Sequence, residues 1–152
     1  MCRARMQKAV CRASVSSGGS DGHRRHRRPL GDVMSQTAST LSLRNLHDVF
    51  GEIDPVRRRA AIDEIFHEDA VFYEPNGAYR GRDEIDRIAG VIKATHPDFQ
   101  YQPLSTPEEI GDGCRVRWVS GSPGKPPAYA GTDFIVRDGK IAAVYLFFDE
   151  LP

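Results

Sequence analysis

Two carboxylates stand where their neighbours are expected to be buried. Glu74 ends the run Ala70-Val-Phe-Tyr-Glu74 and is followed by Pro75. Side chains alternate along a strand with period two, so Glu74 shares a face with Phe72. If Phe72 points into an apolar interior, so does the acid, and that is costly unless the acid is used or paired. Desolvation by aromatic neighbours would raise its pKa toward the range a proton acceptor needs. The plainer reading is a strand-end glutamate in solvent, or one paired with Arg80 or Arg82. Asp133 lies in the middle of a second run, Tyr129–Arg137, on one face with Tyr129, Gly131 and Ile135. Acids are disfavoured inside strands, so this one is either a cavity acid or a surface residue paired with Arg115 or Arg117. A third titratable group, His47, falls with Leu43, Leu46 and Phe50 on one helical face. Its near-neutral pKa suits proton transfer, and a hydrogen-bonded core histidine would occupy the same place.

The elements that must position these groups can be read from periodicity and turn chemistry. After the helix around Leu43–Phe50, Asp54-Pro55 gives an N-cap and a proline at the first helical position. That second helix turns Ala61, Ile62, Ile65 and Phe66 inward and is followed by a short strand over Ala70–Glu74. A third helix begins near Arg82, with Ile85, Ile88, Ala89 and Ile92 on one face. It ends before His96-Pro97, because the residue before a proline avoids the helical region. Strands follow at Phe99–Leu104, Cys114–Ser120, Tyr129–Arg137 and Ile141–Phe148, the last two joined by Asp138-Gly139, a strong hairpin signal. Helices gathered first and an antiparallel meander last indicate an α+β fold.

Charge divides the 152 residues unevenly. Residues 1–33 hold eight Arg and Lys against two acids, and the remainder holds 13 against 19, so a net charge of zero conceals two kinds of sequence. The basic part lacks hydrophobic periodicity and cannot offset its ordering entropy. We expect a disordered leader over 1–33 and one folded domain over 34–152. Met34-Ser-Gln-Thr37 has the character of an ordinary protein start, so the leader reads as upstream sequence from a misassigned start. A basic targeting or anion-binding arm is the alternative. The acidic domain does not invite nucleic acid. Cys2, Cys11 and Cys114 form neither a disulfide framework nor a zinc pattern, which suits a reducing, cytoplasmic setting. No apolar run approaches a membrane span of about 18 residues. No phosphate loop, metal-ligand spacing, nucleophile elbow or dinucleotide fingerprint occurs, so no metal or cofactor is expected.

The order of elements, with Phe66-His-Glu-Asp-Ala-Val71, Gly81-Arg-Asp-Glu-Ile85 and Asp133-Phe-Ile-Val-Arg-Asp-Gly-Lys-Ile-Ala-Ala-Val144, resembles the nuclear transport factor 2-like superfamily, and within it the SnoaL-like and ketosteroid-isomerase-like group. The resemblance runs from about Leu41 to Asp149. It implies a cone of three N-terminal helices on a curved antiparallel sheet, a fold that hosts isomerases, cyclases, hydrolases, dehydratases and non-catalytic domains. It also implies roles: Glu74 matches the isomerases' proton-shuttling base, and Asp133 matches their protonated aspartic acid that donates to a substrate oxyanion. In the cyclases the cavity aspartate is instead the acid/base residue. The isomerases' second donor, a tyrosine on the first helix, is missing, which leaves His47 as its substitute. The aspartate–arginine–aspartate set of limonene-epoxide-hydrolase-type relatives is absent. So is a convincing histidine pair of the scytalone-dehydratase type, since His67 and His96 fall at helix ends.

The reading that results is a cofactor-free domain with a pocket for a small apolar, carbonyl-bearing molecule. Glu74, Asp133 and His47 are its candidate catalytic residues, and Phe50, Phe72, Trp118, Tyr129 and Ile135 its candidate walls. The final strand is apolar on both faces, which points to a homodimer through the sheet. A ligand-binding or dimerisation module without turnover is the alternative.

Overall fold

The computed structural model describes residues 36–152; the leader expected over 1–33 lies outside the described residues. Thr37 caps the first helix, its hydroxyl accepting from the Thr40 amide at 3.1 Å. The helix starts as α1 (Ala38–Arg44) and runs on as a π-helical segment, Asn45–Phe50, closed by the Gly51 N–H donating to the Leu46 carbonyl at 2.8 Å. Helix α2 (Pro55–Ile65) opens on Asp54, whose carboxylate accepts from the Val56 and Arg57 amides. It passes directly into β1 (Phe66–Glu74), which forms a hairpin with β2 (Gly77–Arg80). Helix α3 (Arg82–Thr95) follows, then β3 (Gln100–Pro103), β4 (Glu108–Ile110), β5 (Gly113–Gly121), β6 (Tyr129–Asp138) and β7 (Lys140–Asp149).

One sheet takes up all seven strands in the order β2-β1-β7-β6-β5-β3, with β4 also on β5. The pairing of β1 with β7 is parallel and the rest is antiparallel. The Asp138-Gly139 hairpin turns through Gly139 at φ +69°, a left-handed conformation that a glycine adopts without strain. The architecture is α+β, with helices against a curved sheet. As expected, a strand separates the second helix from the third; here it is one half of the β1–β2 hairpin. Strand β1 begins at Phe66 rather than Ala70, and β2 and β4 were not expected at all. Both are short edge pieces, of four and three residues, and only pairing to a longer strand makes them strands.

Helices and sheet meet in a core of Ile62, Ile65, Phe66, Ile85, Ile141 and Val144, all fully buried. Arg58 joins α2 to α3 through a 2.7 Å ion pair with Asp86. The other side of the sheet keeps Tyr73, Phe134, Val136, Tyr145 and Phe147 exposed. Among the described residues no helix is long and apolar enough to cross a membrane.

Candidate active site

Strand parity decides which β6 residues face the helices. Gly131, Asp133 and Ile135 are buried, whereas Phe134 and Val136 are exposed on the opposite face. Asp133 sits opposite Val116 across β5, so Arg115 and Arg117 belong to the outer face. Those arginines pair instead with Glu108 and Asp149. Asp133 therefore opens into a cavity of about 390 Å³, walled by the π segment, the end of α3 and the inner face of the sheet. The volume lies in the range of small-molecule pockets.

The carboxyl of Asp133 has only neutral partners. Oδ1 accepts from the Trp118 indole N–H at 2.9 Å, and Oδ2 accepts from the Asn45 amide at 3.4 Å. Asp133 is 3% exposed and has no ion-pair partner among the described residues. Burial pushes its carboxyl up to about 7, against the pull of the two hydrogen bonds, which favour the ionised form. The acid thus holds its proton through the lower part of the physiological pH range.

Trp118 reaches Asp133 because its cross-strand partner is Gly131. A Cβ on residue 131 would lie 2.5 Å from the indole Cζ2, so only a glycine leaves the ring its seat across β6. From there the N–H extends to the next residue on the same face, Asp133. Tyr101 packs edge-on against the indole, with ring centroids 5.1 Å apart, and also lines the cavity. Burial and the nearby Asp133 charge push its phenol up to about 12, so it remains a hydrogen-bond donor.

The other expected site residues are distributed as follows. Phe50, Phe72, Trp118 and Tyr129 line the cavity with Asp133. Ile135, expected as a wall, is 1% exposed and belongs to the main core, one strand position pair beyond the carboxyl. His47, expected inward, is exposed. The reason is the π-helical widening: inward positions recur every four residues as Leu41, Asn45, Val49 and Ser42, Leu46, Phe50, all buried, and His47 turns out. Glu74, expected in the pocket, is half-buried at the tip of β1 and does not line the cavity. Its carboxylate accepts from the Tyr79 hydroxyl at 3.1 Å and from the Asn76 amide, the latter a residue of the cavity wall. It pairs with neither Arg80 nor Arg82; the Arg82 guanidinium is bonded to the Phe66 carbonyl.

Two residues of the site, Asn45 and Lys93, were not expected, and a third, His96, was set aside as a helix-end histidine. Asn45, on the first helix, donates to the Asp133 carboxyl, and its only signal was the spacing of four from Leu41 and Val49. Lys93 and His96 lie on the wall contributed by the end of α3. The Lys93 amine donates to the Phe99 carbonyl at 2.7 Å, and the His96 ring stacks on Phe99 with centroids 4.2 Å apart.

A family model described as SnoaL-like domain matches residues 43–144. The chain belongs to the SnoaL-like family. Solved structures similar to this SnoaL-like domain include a SnoaL-like protein from Agrobacterium tumefaciens with the provisional name of isomerase. It is 24% identical over 73% of this chain and 96% of that one, with a TM-score of 0.69. A provisionally named polyketide cyclase from Sinorhizobium meliloti is 22% identical over 71% and 94% of the two chains, with a TM-score of 0.56. A provisionally named ketosteroid isomerase from Kribbella flavida is 19% identical over 75% and 78%, with a TM-score of 0.58. At these identities the likeness is one of fold, the cystatin-like, nuclear transport factor 2-like architecture. Among curated proteins none matches the chain.

Proposed function

We propose that the cavity binds a small apolar molecule through a carbonyl-type oxygen, to which protonated Asp133 donates its hydrogen. The observation that carries this reading is Asp133 itself: a carboxyl held by two neutral donors in an aromatic wall, with burial favouring the acid form. A neutral acid in such a site polarises a carbonyl and stabilises charge that develops on its oxygen. That is one half of an isomerase- or cyclase-type proton transfer, and isomerase or cyclase stands in the names of the three similar structures above. The bound proton sits on Asp133; as the guest loses a proton from carbon, its oxygen gains electron density that this hydrogen bond stabilises.

The proton acceptor is the less complete half. Glu74 stands outside the wall, so catalysis through it would need the β1–β2 tip to bring it in. His96 already lines the cavity and belongs to the residue type suited to proton transfer near neutrality. We therefore assign it the acceptor role in the catalytic reading. Binding without turnover uses the same acid and cavity. The exposed aromatic outer face of β6 and β7 supports a homodimer through the sheet.

The test is a carboxyl-carbon NMR titration of the full-length protein, with Asp133→Asn to assign the signal, followed by proton-exchange assays on cyclic ketones. A midpoint near 7 supports the reading. A midpoint in the ordinary range of about 4 removes the acid on which it depends. Loss of exchange in His96→Gln, with binding retained, would separate turnover from binding.

A further inference from the structure

The cavity wall carries one lysine ammonium and one acid, and they differ in how well they are satisfied. The acid, Asp133, sheds its charge below its midpoint of about 7 by taking up a proton. The cation is Lys93, 7% exposed, on the last turn of α3. Its amine donates one hydrogen bond, to the carbonyl of Phe99, another wall residue. Among the described residues no carboxylate lies within ion-pair distance of it. Asp98 and Glu52 act on it only at longer range, and burial holds the ammonium below its usual pKa. A buried ammonium without an adjacent anion is costly, and two of its three N–H groups remain to be used. All other cavity-lining side chains are apolar, aromatic or neutral polar, apart from His96. With Asp133 protonated, the wall therefore presents positive charge at one place and a neutral hydrogen-bond donor at another.

We infer that the cavity selects an anionic guest: an apolar molecule whose carboxylate is set against Lys93 while a carbonyl-type oxygen is set against Asp133. The inference rests on the binding reading above and adds a charge requirement to it. The bond to Phe99 fixes where the ammonium stands, so the carboxylate meets a positioned donor rather than a flexible one. Charge-assisted hydrogen bonds are about twice as strong as neutral ones. The ammonium would also regain, from the guest, the neutralisation that the protein leaves incomplete.

The experiment compares para-acetylbenzoate with its methyl ester, two guests with the same apolar ring and ketone that differ in charge. Binding to the full-length protein is followed through the indole N–H signal of Trp118, the sole tryptophan, below the Asp133 midpoint. The acid should bind at least about tenfold more tightly than the ester, the equivalent of one charge-assisted bond. Lys93→Gln removes the charge and keeps a donor for the Phe99 carbonyl, so it should abolish the preference by weakening the acid alone. Lys93→Met is the second variant, and retention of the native indole signal in either one certifies its fold. Equal affinities in the wild type, or a preference that survives Lys93→Gln, would overturn the inference while leaving the cavity reading intact. If neither guest shifts the indole signal, the cavity reading fails, and the inference with it.

Discussion

Replacing Asp133 by asparagine should stabilise this protein above neutral pH. The carboxyl moves from an unfolded value of 3.8 to about 7 on folding, so between those limits the folded state holds a proton that the unfolded state has lost. Linkage then makes stability fall as pH rises: the contribution is fully present below about 4 and is lost through the folded-state midpoint. At about 1.4 kcal/mol per unit, a shift of this size amounts to about 4 kcal/mol at most. Water in the cavity would solvate part of the charge, and we expect about 2–4 kcal/mol. Asparagine cannot ionise, keeps the shape, and offers an amide oxygen to the Trp118 N–H. Urea denaturation followed by far-UV circular dichroism should therefore find the variant more stable than wild type at pH values above 7, with the advantage vanishing toward pH 4. The comparison must be of variant with wild type. Glu52, Asp54, Glu64, Glu84, Asp98 and Glu109 are all held below the usual carboxylate range by their hydrogen bonds, and they give the opposite slope, with stability lost as pH falls. Those contributions cancel in the difference. A difference that stays within about 0.5 kcal/mol at every pH would refute the reasoning, because Asp133 would then ionise alike in both states.

Other perturbations test the supporting parts. Gly131→Ala places a methyl 2.5 Å from the Trp118 ring; it should cost about 1–3 kcal/mol in urea denaturation and shift the indole N–H resonance as the bond to Asp133 breaks. Trp118→Phe and Asn45→Ala each remove a donor that favours the ionised carboxyl, so carboxyl-carbon NMR should find the Asp133 midpoint higher in both than in wild type. Phe147→Lys puts a charge on the exposed outer face of β7, where Phe147 packs edge-on against Phe134 with centroids 5.8 Å apart. If that face is the subunit contact, sedimentation should show a dimer in wild type and a monomer in the variant, with unchanged circular dichroism.

How legible each part of the site was follows from local geometry. A strand's fixed period of two grouped Asp133 with Tyr129, Gly131 and Ile135, but parity alone left open whether that face was the cavity or the surface. The same alternation correctly put Glu74 on the face of Phe72, but parity does not measure depth. Glu74 is the last residue before a turn, where the face runs out into the β1–β2 tip and Tyr79 takes up its carboxylate. His47 was misplaced for a different reason: the reading assumed 3.6 residues per turn, and a π-helical stretch changes the face presented by every later residue. Asn45 was passed over by the same assumption. Lys93 was passed over because a cation near a helix C-terminus is an ordinary feature, and His96 was set aside because a helix-end histidine is exposed by default; both line the cavity, with Phe99 beside them. The overall architecture was more readable, since the Asp54-Pro55 start, the apolar spacing of the third helix and the Asp138-Gly139 hairpin signal themselves. The edge strands β2 and β4 owe their conformation to a longer partner just across a tight turn, β1 and β5 respectively.

The most direct test of the account is the binding of an uncharged ketone, methyl para-acetylbenzoate, to full-length wild type and Asp133→Asn, read from the Trp118 indole N–H across neutral pH. The account predicts a saturable shift in wild type, with affinity falling about tenfold per pH unit above the Asp133 midpoint, because only the protonated acid can donate to the ketone. It predicts no such pH dependence in Asp133→Asn. An indole signal that the ketone leaves unmoved, or a wild-type affinity indifferent to pH, would contradict it.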